Sequence, residues 1–407
     1  MKLGEVCYTT SGGTPSRREL KYYNGTIPWV KSGELDRGII TDTEEKISEE
    51  AIKNSSAKIF PKGTLLIALY GATIGKLAFL GIDAATNQAI CGIYQNDNID
   101  SNFLYHYLFY KKEKLVNEAI GGAQPNISQT ILKNLDLPFP PRLTQQVIVT
   151  KIEELFSELD KGIETLHNAQ EQLKIYRQAV LKWAFEGRLT NEKVKDEELP
   201  KGWKKVKTID VIDIINNGYT PTKEYLFEGS GEIPFIKVYN LNFNGTLNFK
   251  KNPTFIPDVI HKKDLKRSIC IPGDILIKIV GPPLGKVSVV SSQFPEWNIN
   301  QAIVMFRPNE KVISKYISCF MQNSVTINWL ENTSKATAGQ WNVKVSTCRE
   351  IPFPFCGIEE QNKVIQAIES RLSVADKMEE SITQSLMQAE ALRQSILKKA
   401  FEGTLLP

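Results

Sequence analysis

The feature that most constrains this chain is an internal duplication. Residues 177–187 read RQAVLKWAFEG and residues 393–403 read RQSILKKAFEG, in a chain of 407 residues. Further matches follow in the same order in both halves of the chain, which chance does not explain. We therefore predict that the chain contains two copies of one fold. The matches, at offsets drifting from 206 to 216, are Thr14-Pro15 with Thr220-Pro221, GTLLIALYGATIGK (63–76) with GDILIKIVGPPLGK (273–286), NQAI (87–90 and 300–303), GAQPNIS (122–128) with AGQWNVK (338–344), and LPFPP (137–141) with IPFPF (351–355).

Each copy has a variable front part that mixes short apolar runs with Gly, Pro and Asn turns. The runs TLLIALYG (64–71) and DILIKIVG (274–281) predict strands. Residues 102–120 and 314–330 each predict a helix. We therefore expect two mixed α/β domains in which most strands pair antiparallel.

The back part of each copy predicts one long helix with an apolar seam. Apolar residues recur every seven positions, as in a coiled coil, and such a stripe needs a partner helix, for which the other copy is the obvious candidate. Gly187 and Gly403 suit the C-terminal stops of the two helices. The first helix carries the rows Ile152, Leu159, Leu166, Leu173, Val180 and Leu155, Ala169, Tyr176, Trp183, and the second carries Ile368, Ala375, Ile382, Ala389, Ile396.

Chain geometry predicts that the two helices run antiparallel. A helix of about 44 residues is ~66 Å long at ~1.5 Å per residue. The linker that follows Gly187 has about 13 residues before Gly202 and reaches at most ~43 Å, so it does not easily return to the start of the first helix. We predict an α+β chain with a pseudo-two-fold repeat: a domain at 1–143, a helix at 144–190, a domain at 191–357 with a lead-in at 191–203, and a helix at 358–407.

Charge is distributed unevenly between these parts. Residues 144–187 hold five Lys/Arg and seven Asp/Glu, and residues 359–403 hold six and eight. Because the whole chain is +4 and each helical segment is −2, the remainder carries +8. That surplus suits a polyanion such as double-stranded DNA, although uneven solvated charge is the alternative.

Cysteine and hydropathy patterns predict a cytoplasmic location. The six cysteines form no CxxC pair, which indicates buried free thiols in a reducing compartment. The three histidines are scattered, so we expect no metal site. No apolar run approaches 18 residues and the start lacks a secretory signal, so we expect no membrane partner.

Two basic domains held apart by a stiff spacer are suited to reading two DNA half-sites, which lie ~34–36 Å or multiples apart on one face of the duplex. Asn and Lys pair with adenine and guanine edges, and Lys also binds phosphates. Each candidate has a plain alternative as a turn-stabilising or solvated side chain. The candidates are Lys31, Ser32, Glu34, Lys76, Gln124 and Asn126 in the first copy, and Lys237, Tyr239, Asn240, Asn242, Lys286, Gln340 and Asn342 in the second.

Catalytic motifs are missing from the sequence. GATIGK at 71–76 has the wrong spacing for a phosphate-binding loop, and its twin GPPLGK loses two amides to proline. No Gly-rich dinucleotide fingerprint follows a strand. We therefore expect no catalysis and no cofactor on this chain.

Taken together, the two-fold repeat, the SGGTP-like opening, the PKG/PGD…GK segments, the PFP exits and the twin AFEG helix ends resemble the specificity subunits of type I restriction-modification systems. The resemblance covers nearly the full length. It implies two target recognition domains, two antiparallel spacer helices and a non-catalytic role. It also implies partners: methyltransferase subunits, expected to be two, which modify adenine with S-adenosylmethionine, and motor-nuclease subunits, which use ATP and Mg.

Aromatic and Arg residues near the helix ends are candidate anchors for a methyltransferase subunit, with packing inside the chain as the alternative. These candidates are Arg177, Trp183, Phe185, Arg393 and Phe401.

The first copy departs from the family pattern because it lacks a counterpart of LPKGW at 199–203. Either the start is trimmed, or the end GTLLP of the second copy supplies the neighbouring surface. Two other functions stay open at this point: a coiled-coil scaffold with two ligand-binding domains, and an unrecognised DNA-modifying enzyme.

Overall fold

The computed structural model describes residues 1–119, 126–191, 194, 198–334, 336–337 and 340–406, with the backbone alone at 336–337 and 340–341. The chain forms two compact units. Unit 1 comprises Met1–Leu166 and Gln384–Pro407, and unit 2 comprises His167–Thr383. Each long helix therefore contributes residues to both units. The domain boundaries predicted from the sequence separate the front parts from the helices and stay a prediction.

Unit 1 contains two sheets, with strand orders β1-β9-β6-β7-β3 and β4-β2-β8-β5. Its strands are β1 (Thr9–Ser11), β2 (Ile27–Val30), β3 (Ile39–Ile40), β4 (Glu45–Ile47), β5 (Ile59–Phe60), β6 (Leu65–Ala68), β7 (Leu77–Leu80), β8 (Ala84–Thr86) and β9 (Ile90–Ile93). Its helices are α1 (Leu3–Val6), α2 (Glu49–Lys53), α3 (Ser101–Asn117), α4 (Gln129–Lys133) and the first part of α5 (Arg142–Phe185).

Unit 2 repeats this plan with sheets ordered β11-β19-β16-β17 and β12-β14-β13-β18-β15, and adds two ribbons, β10-β22 and β20-β21. Its strands are β10 (Lys204–Lys207), β11 (Ile212–Asn217), β12 (Phe227–Glu228), β13 (Ile233–Ile236), β14 (Thr254–Ile256), β15 (Ile269–Cys270), β16 (Ile275–Lys278), β17 (Val287–Val289), β18 (Trp297–Ile299), β19 (Ile303–Pro308), β20 (Ala336–Thr337), β21 (Gln340–Trp341) and β22 (Pro352–Phe355). Its helices are α6 (Asp258–Lys263), α7 (Ser314–Met321), α8 (Ser324–Thr333), α9 (Val345–Arg349) and the first part of α10 (Ile358–Phe401).

The predicted strands and their pairing are confirmed. The two apolar runs form β6 and β16, which lie inside their sheets and are almost wholly buried. Central strands covered on both faces read as continuous apolar runs, which explains why the signal was clear. Pairing among the described strands is mostly antiparallel, and the parallel pairs are β2–β8, β3–β7 and β13–β18.

The helix predicted in the first copy is confirmed, whereas the single helix predicted in the second copy is wrong. Residues 102–120 predicted a single helix, and α3 occupies Ser101–Asn117. Residues 314–330 form two helices instead, because Asn323 begins a new helix by accepting a hydrogen bond from the Val325 amide at 3.1 Å. Asn is a preferred N-cap residue, so a cap signal was present in the sequence.

The two long helices have 44 residues each and run antiparallel within each unit. In unit 1, Asp160 forms an ion pair with Arg393. In unit 2, Arg177 contacts Glu379 at 2.8 Å, whereas the later Thr190 contacts the earlier Glu360 at 2.7 Å. The glycines that follow the helices, Gly187 and Gly403, both have φ of +77°, the left-handed conformation that favours glycine at a helix end.

The predicted seam is confirmed along the second helix and corrected along the first. All five residues of the second helix's row, from Ile368 to Ile396, are buried. In the first helix Tyr176 and Trp183 are 41% and 49% exposed, so they do not belong to the seam. A seven-residue row drifts by ~20° per heptad around a helix of 3.6 residues per turn. Near the end of the helix, the fully buried Ala184 replaces Trp183 in the core.

The start of the first copy is paired with the same segment as in the second copy. In unit 2, β10 pairs with β22 over four residues. In unit 1, Met1 and Leu137 exchange main-chain hydrogen bonds, and Lys2 bridges Asp136. Leu405 and Leu406 of the GTLLP end pack against the core of unit 1.

All six cysteines are free and buried, which confirms the buried free thiols predicted from the sequence. Burial raises the pKa of the Cys91 and Cys348 thiols to about 12, so both are protonated at neutral pH. None of the described helices has the length and apolar composition that a bilayer crossing requires.

Candidate nucleic-acid interface

The segment that follows β2 or β13 forms a tight turn in each unit, which we call the post-strand turn (residues 31–38 in unit 1 and 237–245 in unit 2). Both turns are closed in the same way. The Lys31 amide donates to Glu34 Oε2 at 2.8 Å, and the Lys237 amide donates to Asn240 Oδ1 at 2.9 Å. Glu34 and Asn240 are therefore structural equivalents that cap their turns.

Burial corrects the role predicted for these two residues. The Glu34 side chain also accepts from the Glu44 amide at 3.0 Å, and the Asn240 side chain donates to the carbonyls of Asn248 and Lys251 at 3.0 and 2.9 Å. Both side chains are buried. The prediction that Asn240 or Glu34 reads a base is therefore wrong, because neither presents a polar edge to solvent.

A second segment, the glycine loop (residues 71–76 and 281–286), lies beside each post-strand turn. Its outer glycines, Gly71 and Gly281, have φ of +82° and +75° and face open space. Glycine is required in this conformation because a Cβ atom would strain it. The loops carry the predicted Lys76 and Lys286 at the sheet edge.

A third segment contains Asn126 in unit 1 and Asn342 in unit 2. An isolated main-chain β-bridge joins it to the residue just before the glycine loop. Asn126 bridges Tyr70 in unit 1, and Asn342 bridges Val280 in unit 2. Both Asn side chains belong to exposed residues. Of their predicted neighbours, Gln124 lies outside the described residues, and the backbone alone is described for Gln340. The fold thus gathers residues more than 50 positions apart at one edge of each unit.

The two predicted lysines of unit 1, Lys31 and Lys76, are paired with carboxylates. Lys76 Nζ lies 2.6 Å from Asp36, which belongs to the post-strand turn. Lys31 Nζ lies 2.8 Å from Glu44 and 3.1 Å from Glu45. The hydrogen bond that Lys31 donates to the Glu44 carboxylate raises the pKa of Lys31. Both lysines would have to exchange these partners to bind a phosphate.

The two predicted lysines of unit 2, Lys237 and Lys286, are placed against carbonyls and aromatic rings. Lys286 Nζ lies 3.5 Å from the Val238 carbonyl. Lys237 Nζ lies 5.9 Å from the centre of the Tyr239 ring, whose hydroxyl donates to the Asn252 carbonyl at 3.0 Å. No carboxylate neutralises Lys237 or Lys286 within the part of the chain that the structure describes. The two units therefore share a frame but offer DNA different chemistry.

The remaining predicted residues of this edge are half-buried. Asn242 donates from its side chain to Thr246 Oγ1 at 3.0 Å and keeps its amide oxygen without a described partner. Ser32 follows Lys31 in the post-strand turn of unit 1. Both stay predicted DNA contacts.

Comparison with known proteins decides the family. The family model described as the type I restriction modification DNA specificity domain matches residues 1–169 and 200–388.

The chain belongs to this family.

Relatives and solved structures agree with this assignment. The MjaIX specificity subunit of Methanocaldococcus jannaschii is 30% identical over 79% of this chain and 75% of its own length. The EcoBI specificity subunit of Escherichia coli is 28% identical over 79% and 69%. A structure from a study of type I R-M complex assembly superposes with a TM-score of 0.73 at 19% identity, covering 100% of this chain and 97% of its own. The HsdS subunit of Thermoanaerobacter tengcongensis gives 0.53 at 19%, covering 100% and 96%. At this identity the two structures establish the shared fold.

Within this specificity-subunit chain, two of the predicted partner anchors prove to be core residues. Phe185 and Phe401 hold equivalent places in the two units, each with its ring edge-on to two aromatic rings of one domain helix, which is α7 for Phe185 and α3 for Phe401. Phe185 is buried, and Phe401 is half-buried. Their packing replaces the anchoring role predicted for them. The ring pairs are Phe185 with Tyr316 and Phe320, and Phe401 with Phe103 and Tyr107.

The other predicted anchors divide into two groups. Arg177 and Arg393 form ion pairs between the long helices, and Arg393 also lies 4.7 Å from the centre of the Phe156 ring. Trp183 is exposed on the first helix, where a bulky aromatic is available to a partner. Trp183 therefore stays the leading predicted anchor.

Three features that lie at the candidate interface or at the start of the long helices were not singled out from the sequence. Lys278 and Phe243 both lie against the glycine loop of unit 2. Gln145 and Gln361 are fully buried at the start of the long helices. The two glutamines could have been found from the sequence, because they match at the same offset of 216 as the helix ends. Phe243 has no counterpart in the first copy, because the two post-strand turns differ in length.

Proposed function

We propose that this chain reads a bipartite, asymmetric DNA target, with one half-site recognised by each unit. The observation that carries the proposal is the double construction of one polar edge from three separated segments. The difference in chemistry between the two edges supports unequal half-sites. The alternative of a ligand-binding scaffold is not favoured, since the chain belongs to a family of DNA specificity domains.

We further propose that the chain directs adenine methylation and restriction by partner subunits and performs no catalysis itself. Two methyltransferase subunits would bind the two equivalent halves, because a duplicated chain presents two similar surfaces. S-adenosylmethionine, ATP and Mg would be bound by those subunits and by the motor-nuclease. The buried free thiols support action in the reducing cytoplasm.

The direct test is DNA binding by the full chain, alone and with its methyltransferase subunits. The target would first be identified by mapping methylated adenines in cells with and without the gene. We expect weak, salt-sensitive binding by the chain alone and, in the complex, at least ~1,000-fold tighter binding to the target than to a scrambled duplex. Equal affinity of the complex for both duplexes would refute the proposal.

A pair of matched variants tests the edge itself. Lys286→Ala removes a cation that has no described acidic partner, so the slope of log affinity against log salt should fall by about 1. Lys76→Ala removes a cation already paired with Asp36, so its effect on the slope should be smaller. If neither variant changes the slope measurably from that of the wild type, the DNA binds elsewhere on the units.

A further inference from the structure

An exposed phenylalanine stands at the candidate edge of unit 2. Phe243 is 53% exposed, and its ring centre lies 5.7 Å from Lys286 Nζ. The main chain on either side of it is fixed: the Val287 amide donates to the Asn242 carbonyl at 2.9 Å, and the Val289 amide donates to the Gly245 carbonyl at 3.0 Å. The ring is therefore presented to solvent by a rigid turn.

The adjacent glycine loop lies within ordinary van der Waals reach of this ring. A Cβ atom on Gly285 would lie 3.9 Å from the Phe243 ring and 2.8 Å from Ile327 Cδ1. The tight contact is with Ile327, whereas the aromatic side chain packs beside the loop at an ordinary distance. The arrangement places a flat apolar surface directly beside the Lys286 ammonium.

A second lysine adds positive charge at the same place. Lys278 Nζ donates to the carbonyls of Pro282 and Pro283 at 3.2 and 3.1 Å. Burial, and then the charge of Lys286, lowers the pKa of Lys278. Among the described residues neither lysine has an acidic partner. A nearby anion would relieve this repulsion.

The first unit lacks this arrangement. The position of Lys278 on β16 corresponds to Ala68 at the end of β6, and the post-strand turn of unit 1 places Asp36 against Lys76. Unit 1 therefore offers an edge whose lysine is paired with a carboxylate, whereas unit 2 offers an apolar ring beside Lys286, with Lys278 against the same loop and no acidic partner described for either lysine.

We propose that Phe243 and Lys286 form a thymine subsite, in which the ring contacts the C5-methyl group in the major groove and the lysine binds an adjacent phosphate. Apolar side chains recognise thymine by its methyl group, and lysines fix the register through phosphates. This inference rests on the proposed function and names a base class for one of its two half-sites.

The test uses the complex with its methyltransferase subunits and a duplex carrying the mapped target. Each thymine is replaced singly by deoxyuridine, which removes the methyl group and keeps the base pair. A half-site that contains a methylated adenine also contains a thymine, so a position to probe exists. We expect one uracil substitution, in one half-site, to weaken binding about fourfold, the effect of losing one buried methyl group.

Phe243→Ala identifies the residue responsible. The variant should bind the thymine and uracil duplexes equally, because the contact that distinguishes them is gone. The matched control is Phe227→Ala, which truncates a similarly exposed phenylalanine of unit 2 on β12. That control should keep the fourfold difference.

Three outcomes overturn the inference and leave the proposed function intact: no uracil substitution weakens binding, Phe243→Ala keeps the discrimination, or Phe243→Ala loses the same affinity for every sequence while bending the DNA less. The last outcome would indicate a ring wedged between base steps. Failure of the complex to distinguish target from scrambled DNA would instead refute the proposed function.

Discussion

Two buried glutamines, Gln145 and Gln361, fasten each long helix to the unit in which it begins. Each side chain makes hydrogen bonds to main-chain groups in two places, just before the domain helix (α3 or α7) and just before the long helix. Gln145 accepts from the Asp100 amide at 2.8 Å and donates to the Pro140 and Asn98 carbonyls at 2.9 and 3.3 Å; Gln361 accepts from the Ile313 amide at 2.9 Å and donates to the Cys356 and Lys311 carbonyls at 2.8 and 2.9 Å.

Gln145→Leu should lower the free energy of unfolding by about 3 kcal/mol, because it leaves buried main-chain groups without partners. The measurement is chemical denaturation followed by tryptophan fluorescence. Gln146→Leu is the control: it changes the exposed neighbour and should cost less than about 0.5 kcal/mol. Similar values for the two variants would contradict the fastening role.

His106 is a second residue whose burial has a measurable consequence. It lies in α3 with its ring against Tyr105 and Phe156, and its Nδ1 atom has no hydrogen-bond partner among the described residues. Burial lowers the pKa of His106 to about 4, which outweighs the opposing charge of Asp100. The imidazole is therefore neutral at pH 7, although Glu153 lies 3.9 Å away.

Acidification should destabilise unit 1 through this histidine. Because the unfolded chain binds the proton near pH 6.5 and the folded chain near pH 4, stability falls as the pH drops through that window. Between pH 7 and pH 5 the wild type should lose about 2 kcal/mol more than His106→Phe. Denaturation at both pH values measures this, with His167→Phe, at an exposed site, as a control that should behave like the wild type.

At the scale of elements, the long helices depend on small residues in their seam. Ala375 and Ala389 are buried in the row that also contains Ile368, Ile382 and Ile396. Alanine at these positions leaves room for the larger side chains of the facing helix. Ion pairs such as Arg177 with Asp376 lie at the margin of this seam, where their carboxylates are exposed and contribute little.

Ala375→Leu should therefore overpack the seam of unit 2 and cost about 1–3 kcal/mol. The adjacent Val374 is exposed, so Val374→Leu is a control with the same final side chain and little expected cost. Thermal unfolding of the two variants would distinguish them. An unchanged midpoint for Ala375→Leu would mean that the facing helix leaves a void at this position.

At the scale of the whole molecule, the duplication places equivalent apolar residues at the C-terminal ends of the two long helices. Ile396, Leu397 and Ala400 complete the core of unit 1, although they come from the end of the chain. The residues 216 positions earlier, Val180, Leu181 and Ala184, are buried in unit 2. A fragment of residues 1–200 carries the second set and lacks the first.

The fragment 1–200 should accordingly dimerise, each copy supplying its helix end to the core of the other. Sedimentation at micromolar concentration would measure the mass, and a folded monomer would contradict the prediction. Leu181→Glu should abolish the dimer by placing a charge in the seam. Lys182→Glu, at an exposed neighbour, should leave it intact.

The sequence by itself determined the repeat, the central strands β6 and β16 and the two long helices. Each of these rests on a local or periodic signal: an apolar run, a seven-residue row or a glycine stop. The same signals gave Lys76 and Lys286, which lie in matching loops. Asn240 was misassigned, because the sequence shows that an amide is present but not that it faces inward.

Only the tertiary structure decided which residues meet. The joining of residue 126 to the loop at 71–76, the pairing of Lys76 with Asp36, and the exposure of Phe243 beside Lys286 all join segments distant in the chain. Periodicity reports the face on which a residue lies, whereas the partner across a loop depends on loop length and closure. Hence the sequence was enough to predict the duplicated fold, but it did not predict the difference between the candidate DNA-binding edges of the two units.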